Sequence, residues 1–154
     1  MDYTLNGYDL KEMFGLVISN GSDTFLAYPK RKDSLQNNWP EQDGIDKDLT
    51  DPHFEARDFK LSCALIAEGR EDFKTRYDAL FTLLSGQGSK ELYIADIDRA
   101  YHVYYKEQVN LTKLTQLNRE SCGVKFDLVF AETNPFDNIP AVYLVDDQDR
   151  FLSA

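Results

Sequence analysis

Residue types that carry most catalytic and metal chemistry are scarce in this chain of 154 residues. Its two histidines, His53 and His102, are far apart in sequence and fall in different kinds of predicted element, which excludes a histidine-rich metal site. No serine or cysteine stands in a recognisable nucleophile motif, and no carboxylate is embedded in an apolar run that would raise its pKa. We therefore expect no catalytic residue, no metal, no cofactor and no enzymatic activity.

Cysteine is equally scarce, and the two that are present are Cys63 and Cys122. Each falls on the apolar face of a predicted strand, a position that favours a small buried thiol over a disulfide. A chain of this length buries roughly 70% of its unfolded surface, so it needs neither a disulfide nor a metal to stay folded. We expect one domain that covers residues 1–154.

Basic residues and long apolar runs are also missing. The chain has 17 basic against 27 acidic residues, a net charge of −10, and its longest basic run is Lys30-Arg31-Lys32. Nucleic acids and anionic membranes attract basic surfaces, so neither is an expected binding partner. No window approaches the ~20 apolar residues of a membrane span, and the N-terminus has neither the basic start nor the apolar run of a secretory signal. We expect synthesis in a cytosol.

The clearest positive signal is a helical period between Arg70 and Leu84. The apolar residues of this segment form one stripe about 100° wide: Phe73, Tyr77, Leu80, Phe81 and Leu84. The acidic pair Glu71-Asp72 suits the exposed N–H groups of a first turn, and Gly86 and Gly88 can take the positive φ that ends a helix. The pattern predicts an amphipathic helix over these residues that is buried on one side.

Strand periodicity lies on both sides of this helix. Apolar and polar residues alternate along Asp58–Ile66, Glu91–Ala95 and Ala100–Glu107, and most cleanly along Ser121–Glu132. We expect Asn110–Asn118 to be an extended connection, because its threonines are poor helix formers. The order of these elements predicts an α+β protein that is mainly β, with the helix packed on a sheet.

Two further hairpins are predicted outside this segment. Asn20-Gly21 is a strong turn signal between Met13–Ile18 and Thr24–Tyr28, so we expect a hairpin to open the fold. Towards the C-terminus, Ala141–Val145 and Arg150–Leu152 can pair across an acidic turn.

Residues 29–52 are polar and predict one long loop, which contains the single tryptophan, Trp39. That ring either folds back on the core or anchors a partner. Along Ala100–Glu107, Tyr101 and Tyr104 put aromatic bulk on both faces of one strand, so we expect the strand to be covered on both sides, by the helix or by another subunit. The candidate interface residues are therefore Trp39, Tyr101 and Tyr104.

Several short stretches, taken in their order along the chain, are similar to one known family. They are Trp39-Pro-Glu-Gln-Asp-Gly44, Phe54-Glu-Ala-Arg57, Arg70-Glu-Asp-Phe73, Tyr77-Asp-Ala-Leu80, Leu92-Tyr93, Tyr101-His-Val-Tyr-Tyr105, Phe126-Asp-Leu-Val-Phe130 and Asn134-Pro135. In these spacings the chain from about Gly7 to Pro135 resembles the N-terminal, tail-tube-like domain of the distal tail proteins of long-tailed phages.

The resemblance implies a β-sandwich or split barrel with one helix packed against it. It also implies a structural subunit of a homo-oligomeric ring, a hexamer, that joins the tail tube to the tip and hub proteins of the baseplate in the virion of a phage or prophage. DNA would be passing cargo only, no membrane would be bound, and synthesis would take place in the bacterial cytoplasm. Residues 136–154 would be a C-terminal extension, in place of the second domain that many members of the family carry.

The alternative interpretation is a ligand-binding β-sandwich, in which Trp39, Tyr101 and Tyr104 form a surface that stacks on carbohydrate. For a ring, the net charge of each subunit predicts where the acidic residues lie. Subunits that each carry −10 repel one another unless the acidic residues lie on solvated walls, away from a dry aromatic interface. We therefore expect an acidic lumen and an interface built around the three aromatic residues.

Overall fold

The computed structural model describes residues 2–33, 36–37, 40–41, 43–44, 46–47, 53–139, 143–145 and 151–153. Trp39 lies outside these residues, so both interpretations of its ring stay predictions. Within the described ranges, no helix is long and apolar enough to cross a membrane.

One antiparallel sheet contains seven of the described strands. In chain order the elements are β1 (Tyr3–Leu5), β2 (Tyr8–Asp9), α1 (Leu10–Phe14), β3 (Leu16–Asn20), a 3₁₀ turn (Ser22–Leu26), β4 (Gln36–Asn37), β5 (Asp46–Lys47), β6 (Asp58–Ala67), α2 (Arg70–Leu84), β7 (Lys90–Ile94), β8 (Arg99–Lys113), β9 (Cys122–Ala131), a second 3₁₀ turn (Pro135–Asp137), β10 (Tyr143–Val145) and β11 (Phe151–Ser153). The strand order in the sheet is β2-β1-β7-β8-β9-β6-β3, and the sheet is not closed. The fold is α+β and mainly β, as predicted, and it is consistent with a sandwich that has one main helix packed against it.

The longest strand, β8, joins the two halves of the sheet. Its first part, Arg99–Val103, pairs with β7, and its second part, from Tyr104 to Lys113, pairs with β9. Two register shifts interrupt the second pairing, and Asn110 takes a positive φ of 58° at the second of them. The strand is longer than the predicted Ala100–Glu107, because the extended conformation expected beyond Asn110 continues it as far as Lys113.

The predicted helix forms α2 with the predicted bounds. Its apolar stripe faces the sheet, with three buried and two half-buried side chains: Phe73, Leu80 and Leu84, then Tyr77 and Phe81. The rings of Tyr77 and Phe81 lie 6.4 and 6.0 Å from the ring of Phe126 in β9. The helix is capped at Ser85, and the positive φ expected after it is found at Gly88, where φ is 78°.

The hairpin predicted at Asn20-Gly21 does not form. Strand β3 pairs with β6, and the first 3₁₀ turn replaces the strand expected over Thr24–Tyr28. A Cβ atom at Gly21 would lie 2.3 Å from the carbonyl oxygen of Lys60, so this glycine allows two backbones to approach closely. The 3₁₀ turn places Phe25 in the core, where its ring stacks on that of Phe59 at 4.3 Å. Burial of this aromatic ring outweighs the local turn signal.

The chain does open with a hairpin, at an Asn-Gly pair that precedes the predicted one. Asn6 and Gly7 have φ values of 52° and 85°, and they connect β1 to β2. Positive φ at both central residues is the geometry of a two-residue turn that matches the twist of the flanking strands. The Asn6 side chain also accepts a 2.8 Å hydrogen bond from the Glu91 N–H, which ties the turn to β7.

Two smaller pairings lie outside the main sheet. Residues 29–52 were predicted to be one long loop. Strands β4 and β5 within this range instead form a short antiparallel ladder. Strands β10 and β11 pair with Leu144 opposite Leu152, which confirms the predicted C-terminal hairpin.

Both cysteines are buried free thiols, as predicted. Burial raises the pKa of the Cys63 thiol to about 12, because apolar surroundings disfavour the charged thiolate. Cys63 is therefore a neutral thiol at physiological pH and packs as a small hydrophobic side chain.

Candidate functional site

The two faces of the sheet differ in how far they are covered. The inner face holds the side chains of β6 and β9 that point towards α2, and these are buried: Phe59, Leu61, Cys63, Leu65, Val124, Phe126, Leu128 and Phe130. We call the opposite side the outer face. Ala131 on this face is buried, and the other side chains are half-buried or exposed: Val17, Asp58, Lys60, Ser62, Ala64, Ile66, Tyr104, Lys106, Glu107, Val109, Thr112, Lys125, Asp127 and Val129. The outer face is the side of the sheet that a partner can reach.

Three large apolar side chains of the outer face are exposed. Ile66 is 48% exposed, and Val17 and Tyr104 are each 39% exposed. Val17 lies opposite Ala64, next to Ile66, whereas Tyr104 lies at the other end of the face, opposite Ala131. Apolar and aromatic side chains of this kind form the water-excluding centre of protein interfaces.

Four of the charged side chains on the outer face form two ion pairs. Lys106 Nζ lies 2.7 Å from Asp58 Oδ2, and the hydrogen bond between them raises the pKa of Lys106. Lys60 Nζ lies 3.6 Å from Asp127 Oδ2. Asp127 also accepts a 2.7 Å hydrogen bond from the side chain of Asn110, which is the main cause of its lowered pKa. These charges therefore already have partners.

The same side of the sheet continues into β7, where Glu91 is a further acidic residue, but the part of the outer face formed by β3, β6, β9 and the second part of β8 is electrically neutral. It carries three basic residues and three acidic ones: Lys60, Lys106 and Lys125, then Asp58, Glu107 and Asp127. Their charges sum to zero, so the net charge of −10 belongs to the rest of the chain. Repulsion between copies of an acidic protein is weakest where two neutral surfaces meet.

The structure separates the two candidate tyrosines of β8. Tyr101 is 0% exposed, its ring lies 4.9 Å from that of Phe25 in the core, and its hydroxyl has no hydrogen-bond partner in the described part of the chain. Residues three apart along a strand point to opposite faces, so Tyr101 and Tyr104 cannot form one surface. This corrects the interpretation of Tyr101, whose side chain belongs to the core and presents nothing to a partner or a sugar. The interface role of Tyr104 stays a prediction.

A buried polar cluster beside β8 has no signal in the sequence. Arg57 and Glu132 form a bidentate ion pair, with Nε–Oε1 and Nη2–Oε2 distances of 2.7 and 3.0 Å, and their side chains are 9% and 0% exposed. Arg57 Nη1 also donates a 2.7 Å hydrogen bond to the Ala27 carbonyl, and the guanidinium carbon lies 4.9 Å from the ring centre of Phe59. The pair joins the start of β6, the end of β9 and the chain after the first 3₁₀ turn.

Asn138 extends this cluster to β8. Its amide accepts a 2.5 Å hydrogen bond from the His102 N–H and donates one of 3.1 Å to the His102 carbonyl, as a neighbouring strand would. It also donates a 2.8 Å hydrogen bond to Glu132. Burial alone would raise the pKa of Glu132, but the hydrogen bonds from Arg57 and Asn138 and the guanidinium charge outweigh it, and the pKa is lowered. This bonding fixes backbone geometry and leaves no polar side chain of the cluster available for chemistry.

A depression of about 340 Å³ lies beside Tyr104. Its lining residues are Ser89, His102, Tyr104, Thr133 and Asp137. One exposed aromatic ring next to hydroxyl, imidazole and carboxylate groups provides a stacking surface with hydrogen-bonding groups around it. Among the residues with described positions, no group of three or more His, Cys, Asp or Glu side chains is placed to hold a metal ion.

Comparison with known proteins gives a similarity in fold. No protein-family model matches the sequence, and no curated protein matches it. The structure is similar to the crystal structure of the Dit (gp 19.1) protein of SPP1, a paradigm of the hub adsorption apparatus in phages that infect Gram-positive bacteria. The TM-score is 0.62 at 17% sequence identity, and the match covers 87% of this chain but only 50% of the Dit chain. The fold of this chain is therefore like that of a phage distal tail protein, and the chain spans about half the length of that protein.

Proposed function

We propose that the protein is a structural subunit of a phage or prophage tail, a component of the distal tail or baseplate hub ring that joins the tail tube to the tip. The observation that carries this proposal is the fold similarity to the SPP1 Dit protein over 87% of the chain. The order of short motifs between Gly7 and Pro135 supports the same family from the sequence. A ring subunit needs no catalytic group, and the proposed role is structural rather than enzymatic.

The outer face is the surface that we assign to one side of the contact between copies, because a closed ring of six joins two different surfaces of each subunit. Its neutral composition avoids the repulsion that a net charge of −10 causes elsewhere. Val17, Ile66 and Tyr104 would bury their exposed apolar area in such a contact. The paired lysines and aspartates could enter an interface without leaving an unpaired buried charge, which is the costly outcome for ionic groups.

In this assembly six copies form a closed ring, and the acidic remainder of each subunit faces solvent and the lumen. An acidic lumen suits DNA as passing cargo, because like charge keeps the phosphate backbone off the wall within the ~8 Å screening length of physiological salt. The other partners are the tail tube and the tip or hub proteins. The single domain, residues 1–154 with the C-terminal extension 136–154, resides in the virion tail after synthesis in the bacterial cytoplasm, and it binds no membrane.

A second candidate function is carbohydrate binding in the depression beside Tyr104. The exposed ring would stack on a sugar, and the surrounding hydroxyl and carboxylate groups would bond its hydroxyls. Tyr101 takes no part, because it lies in the core. Ligand binding by a monomer distinguishes this function from ring assembly.

Light scattering over a series of protein and salt concentrations tests the proposal. We expect the mass to rise with both, because salt screens repulsion between acidic copies and leaves apolar contacts intact. Tyr104→Glu should abolish association, whereas Tyr8→Glu, the same change at a tyrosine of similar exposure on β2, should not. A wild-type protein that stays monomeric throughout, or two variants that behave alike, contradicts the proposal. Glycan-array binding by a monomer, lost in Tyr104→Glu, would favour the second function.

A further inference from the structure

Three aromatic side chains from distant parts of the chain meet at the surface, and we call them the aromatic cluster: Tyr28, Phe54 and Phe136. The ring of Phe54 makes edge contacts with the other two, at centroid distances of 6.4 Å to Tyr28 and 5.5 Å to Phe136. The guanidinium of Arg31 lies 5.9 Å from the centre of the Phe54 ring. Tyr28 is nevertheless 71% exposed and Phe136 is 52% exposed. The cluster is therefore an apolar surface with little cover.

Backbone hydrogen bonds hold the cluster in place. Arg31 and Phe54 form an isolated β-bridge, flanked by bonds from Lys32 N–H to the His53 carbonyl and from Glu55 N–H to the Lys30 carbonyl. On the other side, the Asn134 side chain accepts a 3.0 Å hydrogen bond from the Phe136 N–H and caps the second 3₁₀ turn. Phe54 and Phe136 thus stand on hydrogen-bonded backbone, which lowers the entropy cost of binding a partner.

Exposed aromatic residues that occur singly need no explanation, but a preformed group of them marks an interaction surface. The candidate occupants are a second protein and another segment of this chain. One segment is well placed: residues 140–154 begin four positions after Phe136 in the sequence. Attachment this close gives the segment a far higher effective concentration at the cluster than a separate partner reaches.

The C-terminal segment also needs a surface. Strands β10 and β11 pair with each other, and a two-stranded hairpin alone is marginally stable in water. Strand β10 is the end of the apolar run Ala141–Val145. A hairpin of this composition is stabilised when it packs on an apolar surface, which the aromatic cluster offers.

Charge bears on the orientation of the same pairing. The sequence between β10 and β11 contains Asp146, Asp147 and Asp149, and the longest basic run of the chain, Lys30-Arg31-Lys32, borders the cluster with all three residues exposed. Asp33, Glu55 and Asp137 are the acidic neighbours of the cluster in sequence. Because these acidic neighbours balance the basic run in number, charge would orient the acidic sequence towards the basic run and would not strengthen the docking.

We propose that the hairpin β10–β11 docks on the aromatic cluster of its own chain and covers Tyr28, Phe54 and Phe136. The docked hairpin would join the C-terminal segment to the base of the 29–52 loop. This inference goes beyond the proposed function, because it concerns one chain and holds whether or not copies associate.

Hydrogen–deuterium exchange of the full chain, read by mass spectrometry, tests the proposal. In the wild type we expect the amides of β10 and β11 to be protected equally at low and high protein concentration. Phe136→Ser should lower this protection roughly tenfold or more, because it opens the hairpin locally and leaves the core folded. Leu114→Ser is the matched control, since Leu114 has the same 52% exposure and lies beyond the opposite end of β9.

Tyr28→Ser provides a second variant at the most exposed ring, in case Phe136→Ser also exposes the amides of β6 and β9. Loss of hairpin protection in either cluster variant, with the core amides and the control unchanged, supports the proposal. An unprotected hairpin in the wild type overturns it, and so does a hairpin whose protection is the same in all three variants. Protection that rises with protein concentration would assign the hairpin to a neighbouring copy and overturn docking within one chain.

Discussion

On the inner face of the sheet, Phe59 and Phe130 lie opposite each other on neighbouring strands and are buried. One residue further along the same strands, Lys60 and Val129 lie opposite each other on the outer face and remain accessible. The alternation of a strand thus gives one pair of strands two unlike surfaces. Core side chains and outer-face side chains can therefore be changed separately in this chain, so the proposed association can be tested without disturbing the core.

The ion pairs differ in the same way. Arg57 and Glu132 are bidentate and almost fully buried, whereas Lys106 and Asp58 meet at 2.7 Å with about half of each side chain exposed. Solvent screens the second pair and not the first, so a similar contact distance corresponds to very different energies. Substitutions in the buried pair and in the exposed pair are therefore expected to change the free energy of unfolding by different amounts.

The largest effect is expected on the inner face. Replacing Phe126 by Ala removes the ring that Tyr77 and Phe81 contact, and it should lower the free energy of unfolding by roughly 4 kcal/mol. Its neighbour on the outer face, Lys125, should change stability by less than about 0.5 kcal/mol when replaced by Ala. Urea melts of the two variants measure both values, and equal shifts would mean that the faces are assigned wrongly.

The buried ion pair comes next. Glu132→Gln leaves the guanidinium of Arg57 without its counter-charge and should cost roughly 3 kcal/mol at pH 7. The folded-state pKa of Glu132 is lowered, so its contribution is present above the unfolded value of roughly 4.3 and is lost as the pH falls through the folded pKa. Urea melts from pH 7 into the acid range should therefore show a flatter pH dependence in the variant. Parallel curves would show that the ion pair contributes no pH-dependent stability.

A smaller effect of opposite sign is expected at Tyr101. Its buried hydroxyl has no described hydrogen-bond partner, so Tyr101→Phe should stabilise the protein by about 1 kcal/mol. Tyr104→Phe provides the control, because the hydroxyl of an exposed tyrosine is free to bond water. Thermal melts compare the two, and a destabilised Tyr101→Phe variant would show that the hydroxyl has a partner after all.

The smallest effect on folding is expected at the outer pair. Asp58→Asn should leave the urea midpoint unchanged and should move the pKa of Lys106 down towards its ordinary value, because the hydrogen bond with Asp58 is what raises it. Titration of the Lys106 side chain by NMR measures this pKa. A clear loss of stability in Asp58→Asn would mean that the exposed ion pair stabilises the fold as the buried one does, which would contradict the difference in energy between them.

Periodicity in the sequence predicted the elements whose side chains alternate between core and solvent. The bounds of α2 agree with the prediction, and β6 and β9 agree to within one residue at each end. The N-terminal region followed only one of its two Asn-Gly signals: Asn6-Gly7 forms a hairpin, whereas the residues after Asn20-Gly21 form a 3₁₀ turn that places Phe25 in the core. That placement depends on Phe59, which no local pattern connects to it.

The candidate site was harder to predict for a similar reason. Alternation puts Tyr101 and Tyr104 on opposite faces, but it cannot tell which face is covered when both carry aromatic residues. Arg57 and Glu132 are 75 residues apart. The alternation of apolar and polar residues indicates which face of a strand a residue occupies, but it does not indicate the residue's partner. From the sequence alone, charged residues that form a buried ion pair could therefore not be distinguished from charged residues that face solvent.

Electron microscopy of the concentrated protein at high salt tests directly whether the outer face assembles the subunits. We expect closed rings of six subunits in the wild type. These rings should persist in Tyr8→Glu and be absent in Tyr104→Glu, although that variant stays folded. Monomers alone in the wild type, or rings that survive unchanged in Tyr104→Glu, would contradict the assignment of the outer face as the assembly surface.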